Sequence, residues 1–151
     1  MTMLQVGQEA PEFVGTTDEN SEFTLSDLRG HVVVLYFYPR AHTPGCIKEA
    51  CSFRDNMMRL VGLGVKVVGV SVDSVKRQAS FKAKYNLDFP LIADEDKTVT
   101  SSYGVLKPNG KSALRVTFLI DREGIIRHIW EKVKVTGHVD QIIEVLKELK
   151  L

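Results

Sequence analysis

Apolar residues fall into runs of differing pattern along this chain, and the changes of pattern mark its elements. Val32-Val33-Val34-Leu35-Tyr36-Phe37-Tyr38 is continuously apolar and β-branched or aromatic, as expected of a central strand covered on both faces. Beyond it, Ala50, Phe53, Met57, Leu60 and Val61 recur at spacings of three and four, which predicts a helix from Pro44 to Val61. Gly62 and Gly64 stop that helix, and Val65 to Val72 reads as a second buried strand. Strand, helix and strand form a βαβ unit, so the two strands should be parallel and the crossover right-handed.

The remaining pattern completes a fold class. Ser74 caps a helix running to about Tyr85, Phe89 to Ala93 is a short extended segment, and a small helix lies near Asp96 to Tyr103. After the turn Pro108-Asn109-Gly110, Arg115 to Asp121 and Ile125 to Glu131 read as an antiparallel hairpin around Asp121-Arg122-Glu123-Gly124. The last helix, Val139 to Leu149, carries the stripe Val139, Ile142, Ile143, Leu146 and Leu149. Pro11 to Leu28 reads as an N-terminal hairpin and a short helical turn. Mixed strands with helices on both faces predict a three-layer α/β/α fold, and 151 residues suit a single domain spanning 1–151.

Composition narrows the functional classes. Hydrophobic content of 44% and charged content of 26% are those of an ordinary globular chain. A formal charge of +1 gives no basic stripe for nucleic acid or membrane. No apolar run approaches membrane-spanning length, and Met1-Thr2-Met3-Leu4-Gln5 has no basic leader, so the expected location is cytoplasmic. In that compartment two nearby cysteines point to redox chemistry rather than a structural disulfide. Cys46 and Cys51 with four scattered histidines match no common metal-ligand set. No metal or organic cofactor is expected.

The chemistry concentrates where the central strand meets the first helix. Pro39 ends the strand, so the following loop lies at the strand's carboxyl end, where open α/β sheets place their sites. Thr43 suits an N-cap and Pro44 the first helical position, which puts Gly45 and Cys46 in the first turn. There Cys46 meets unpaired backbone N–H groups and the positive end of the helix dipole, both favouring a thiolate. Cys46 precedes Ala50 by four residues, so it shares the inward stripe, and a shielded but reachable pocket is expected. Five residues of intact helix hold the Cα atoms of Cys46 and Cys51 roughly 8–9 Å apart, beyond the ~7 Å reach of a disulfide. If the two bond, the first turns must unwind; otherwise Cys51 is a partly buried helix residue without a role.

Pro39-x-x-x-Thr43-x-x-Cys46 resembles the active-site motif of peroxiredoxins. The longer string Tyr-Phe-Tyr-Pro…Thr-Pro-Gly-Cys…Glu-Ala-Cys is similar to the bacterioferritin comigratory protein, or peroxiredoxin Q, subgroup. The likeness extends over the chain, including Gly7-Gln8-Glu9-Ala10-Pro11-Glu12-Phe13 and Arg115-Val116-Thr117-Phe118-Leu119-Ile120-Asp121. Ile47, where many relatives have a hydroxyl residue, departs from it outside the minimal motif. The resemblance implies a thioredoxin-like fold, Cys46 as peroxidatic cysteine and Cys51 as resolving cysteine in the same helix. It makes Thr43 a peroxide-binding hydroxyl as well as a cap. It matches Arg115 to the family's active-site arginine, on a strand face shared with Thr117 and Leu119, where a guanidinium would stabilise thiolate and developing oxygen charge. Glu49, which unaided reads as a solvated helix residue, then holds Arg115 in place. A hydroperoxide substrate, a thioredoxin-type dithiol reductant and a monomer or weak homodimer follow from the same resemblance.

Two other functions share some of these features. A thioredoxin-like disulfide oxidoreductase would carry C-x-x-C and a proline before the facing strand, whereas here the spacing is C-x4-C and Leu114-Arg115-Val116-Thr117 lacks proline. A non-catalytic cysteine redox sensor would use the same first oxidation and stop. His42 reads as an exposed loop histidine, Tyr36, Tyr38 and Trp130 as packing. Gly110-Lys111-Ser112 fails as a phosphate loop because Val105 stands where glycine is required and a strand follows.

Overall fold

A computed structural model describes residues 2–151. Its elements run β1 (Val14–Thr16), β2 (Glu22–Thr24), a 3-10 turn (Leu25–Leu28), β3 (Val32–Phe37), α1 (Pro44–Asp55), α2 (Met57–Gly62) and β4 (Val65–Ser71). They continue through α3 (Val75–Tyr85), β5 (Leu91–Ala93), α4 (Thr98–Ser102), β6 (Val116–Ile120), β7 (Ile126–Trp130) and α5 (His138–Glu148). A five-stranded mixed sheet has the order β5-β4-β3-β6-β7, while β1 and β2 form a separate antiparallel hairpin. β3 pairs parallel with β4 and antiparallel with β6, Tyr36 lying opposite both Gly69 and Thr117.

The continuous apolar run makes β3 the centre of the sheet, since each of its residues is buried. Val32, Val34 and Tyr36 face α1, α3 and α5, where they meet Ala50, Phe53, Phe81 and the α5 stripe. Val33, Leu35 and Phe37 face the other layer, closed by the hairpin, the 3-10 turn and α4. The strand's period of two thus feeds two separate cores. Tyr36 stacks on Phe53 with ring centroids 4.6 Å apart, tying the Cys46 helix to the sheet; such aromatic pairs add about 0.5–1.5 kcal/mol beyond area burial. Gly69 makes room for that stack, because a Cβ there would stand 3.1 Å from the Tyr36 ring.

Three expectations need correction. The helix expected over Pro44–Val61 is two helices, broken at Asn56, whose φ of −105° and ψ of 9° leave the helical well. Asn56 Nδ2 donates to the Ser52 carbonyl at 2.8 Å, so a short polar side chain competes for backbone acceptors where an apolar stripe suggested continuity. The break turns α2, and Val61 is 62% exposed rather than part of the buried stripe. Val72 falls outside β4, which ends at Ser71.

Candidate active site

Pro39, half-buried, follows β3 and starts the loop that leads to α1. Ala41 in that loop is fully buried, and His42 adopts a φ of +67°, sparsely populated for a residue with a Cβ. His42 is not an exposed loop histidine: it is half-buried, its ring centroid 5.3 Å from that of Phe81 and 6.4 Å from that of Tyr85. The positive φ turns its ring onto α3 and aims Thr43 into the start of α1.

Cys46 sits in the first turn of α1, on the face packed against the sheet, and only 1% of it is exposed. The sulfur is guarded, and a depression of about 420 Å³ lined by Leu114, Arg115, Val116, Glu131, Lys132 and Val133 reaches the arginine that contacts it. Arg115, one residue before β6, spans the site. Its Nη2 donates to Cys46 Sγ at 3.4 Å and its Nη1 to Glu49 Oε1 at 2.7 Å. The planar guanidinium fork addresses the two groups from separate nitrogens, a geometry that a lysine's single ammonium nitrogen does not reproduce. Gly45 permits this approach, since a Cβ at that position would lie 3.0 Å from Arg115 Nη2.

Glu49 departs from the solvated reading. It is 1% exposed, and its Oε2 has no hydrogen-bond partner. Burial pushes its carboxyl from the ordinary 4.5 up to about 7, against the opposing charge and hydrogen bond of Arg115. Burial alone would lower Arg115, but the charges of Glu49 and Cys46 outweigh it and raise the guanidinium further.

Thr43 occupies the N-cap position of α1 without a capping hydrogen bond. Its hydroxyl instead donates to the Arg40 carbonyl at 2.8 Å, so the backbone N–H groups of the first turn lack the side-chain acceptor expected there. With its proton engaged, Thr43 Oγ1 is left as an acceptor. Cys51 is partly buried on the intact α1, and both cysteines are free. Two polar contacts restrain this helix: Lys48 Nζ reaches Thr136 Oγ1 at 2.6 Å, and Arg54 Nη1 reaches the Tyr85 carbonyl at 2.7 Å.

The sequence pattern did not single out Asp73, in the β4–α3 connection, and Arg77, in the first turn of α3, which grip the Pro39–Thr43 loop. Asp73 Oδ2 accepts from Ala41 N at 2.7 Å, and Arg77 Nη2 donates to the Ala41 carbonyl at 3.0 Å. The available signal was an acid just past a buried parallel strand with an arginine four residues on. Tyr36 and Tyr38 are core residues, as expected, and Trp130 packs against His138 at 5.5 Å.

The chain that carries this buried helix-start cysteine, with an arginine at its sulfur and a buried acid behind the arginine, has known relatives. The AhpC/TSA family pattern matches residues 6–129. A putative peroxiredoxin Bcp of Coxiella burnetii is 51% identical over 146 residues, covering 93% of this chain and 97% of the relative. The chain belongs to the AhpC/TSA family of peroxiredoxins. This peroxiredoxin superposes on a cysteine-to-serine variant of PrxQ from Xylella fastidiosa with a TM-score of 0.92 at 30% identity, over 100% of both chains. The bacterioferritin comigratory protein of Xanthomonas campestris, whose structures concern alkyl peroxide reduction, matches with a TM-score of 0.87 at 34% identity, over 98% of both chains. The mixed sheet with its added hairpin is therefore the thioredoxin-like peroxiredoxin fold, and the protein is a thiol peroxidase of the Bcp and peroxiredoxin Q group, acting on peroxide with a thiol reductant. Among the described residues no helix is long and apolar enough to cross a membrane.

Proposed function

We propose that Cys46 is the peroxidatic cysteine and Cys51 the resolving cysteine of a peroxidase acting on hydrogen peroxide and organic hydroperoxides. The observation that carries this reading is the Arg115 guanidinium at 3.4 Å from Cys46 Sγ while its other arm is fixed on Glu49. A positive charge held at the sulfur favours the anion that attacks. The thiolate attacks the terminal peroxide oxygen, the S–O bond forms as O–O breaks, and alkoxide or hydroxide leaves and takes up a proton. Thr43 Oγ1 accepts from the peroxide O–H. Arg115 and the open N–H groups near Gly45 and Cys46 stabilise the oxygen charge as it develops.

Cys46 is then a sulfenic acid. The Cys51 thiol condenses with it, releasing water and forming a disulfide, which requires the first turns of α1 to unwind. A dithiol of the thioredoxin type returns both thiols by exchange and is itself oxidised. Pro39 and Gly45 shape the site, and Glu49 orients Arg115.

Steady-state peroxide consumption with a thioredoxin system tests the assignment. Cys46→Ser is expected to lose all turnover, and Cys51→Ser to react once and stop with this reductant. Turnover retained by Cys46→Ser would sink the proposal, and a single turnover by the unmodified protein would make it a sensor.

A further inference from the structure

We propose that Asp73, braced by Arg77, is a positioning residue for Thr43 and acts through the peptide group between Arg40 and Ala41. The inference rests on reading Thr43 and Cys46 as the peroxide site. A peptide group is a rigid plane with its C=O and N–H pointing in opposite directions. Here the N–H end, on Ala41, is held by Asp73 Oδ2 at 2.7 Å, and the C=O end, on Arg40, accepts the Thr43 hydroxyl at 2.8 Å. Fixing one end of that plane fixes the acceptor at the other, and hence the direction of the Thr43 hydroxyl. An anionic acceptor on the N–H also polarises the carbonyl, strengthening its hold on Thr43.

Asp73 is itself well held. It is 2% exposed, Ser71 Oγ donates to its Oδ2 at 2.7 Å, and Arg77 Nε donates to its Oδ1 at 2.9 Å. Arg77 also spans to the Ala41 carbonyl, so the pair brackets Ala41 on both sides. The next residue, His42, stands at a φ of +67°, a backbone state that persists only where its surroundings enforce it. The bracket supplies that enforcement and, with the Thr43 proton held by the Arg40 carbonyl, leaves Thr43 Oγ1 free to accept.

The test uses the full chain with Cys51→Ser, so that Cys46 alone reports. Cys46 oxidation by hydrogen peroxide is followed by quenched flow with mass detection, and its alkylation by iodoacetamide is measured in parallel, since alkylation needs an available thiolate but no oriented peroxide. Asp73→Asn is expected to slow oxidation about tenfold or more while changing alkylation less than about twofold. In a Thr43→Val background the same substitution is expected to cost less than about twofold, because the two residues act in series. Arg77→Ala, at a half-exposed side chain, is expected to give the same pattern more weakly and decides the matter if Asp73→Asn misfolds. An equal cost with and without Thr43, or equal slowing of oxidation and alkylation, would overturn the proposal. Failure of peroxide to oxidise Cys46 at all in the parent would instead overturn the reading of the site.

Discussion

At the start of α3, Ser74 Oγ accepts from Arg77 N at 3.1 Å, and at its end Asn86 closes the helix in the left-handed conformation. At the start of α1, Thr43 occupies the equivalent position but gives its hydroxyl to the preceding loop. The two helices are nearly the same length, 11 and 12 residues. One has its first turn sealed by a side chain; the other has it open beneath a cysteine. A cap contributes about 1 kcal/mol to a helix, so α1 forgoes that stabilisation and keeps its backbone donors open, where the proposed mechanism uses them for an anion. The lesson is that helix-start residues of one chemical type cap the helix in one place and leave it open in another, and only the acceptor they choose distinguishes them; under the proposed mechanism the open start serves reactivity.

The contrast breaks most completely if the charge above the open turn is removed. Arg115→Ala is expected to lower the second-order rate of Cys46 oxidation by about 10²- to 10³-fold, the usual cost of removing a donor to developing oxygen charge. Stopped-flow peroxide kinetics measures it, and a loss under tenfold would show that the open N–H groups suffice alone.

A second difference appears in pH. In the folded helix Glu49 titrates near 7 instead of its ordinary 4.5; an unwound, solvated segment restores the ordinary value. Between those values the intact helix keeps a proton that the unwound form releases, so rising pH favours unwinding. Below about 4.5 both forms are protonated and above about 7 both are ionised, so the effect is confined to that window. Hydrogen exchange of amides 46–51, corrected for intrinsic rates, is expected to show weaker protection at pH 8 than at pH 5. Amides of α3 should show no such Glu49-linked change, and Glu49→Gln should flatten the difference. Equal protection at both pH values would refute it.

The smallest expected effect concerns the caps themselves. Ser74→Ala should lower global stability by about 1 kcal/mol in urea unfolding, whereas Thr43→Val should cost less than about 0.5 kcal/mol because no helix donor loses its partner. Similar losses at both positions would mean that the α1 cap forms in solution.

Much of this architecture was legible in the order of residues. β3, β4 and the hairpin of β6 and β7 follow from apolar runs and turn residues, because burial on one or both faces leaves a periodic signature. The break at Asn56 left none, since Met57 and Leu60 continue the helical spacing across it. At the site, Cys46 in a first turn could be read from Pro39, Thr43 and Pro44. The direction of the Thr43 hydroxyl could not, because cap and loop offer it acceptors of the same kind. Glu49 reads as solvated until β6 brings Arg115 against it, from 66 residues away. Asp73 and Arg77 escaped notice for the same reason: their partner is one backbone unit, and backbone units carry no letter in a sequence.

The interruption at Asn56 bears on how much of the molecule takes part in each catalytic cycle. An isolated helix of about 12 residues is marginal in water, so α1 persists through its contacts with the body rather than through its own length. Were residues 44–62 one continuous rod, melting its first turns would work against the cooperativity of the whole rod. Ending the rod at Asp55 confines the event to a segment that Phe53 and Arg54 still tether at its far end. On the proposed Cys46–Cys51 cycle the order–disorder transition is therefore local and leaves the rest of the sheet intact, a fuse that resets without disturbing the circuit around it.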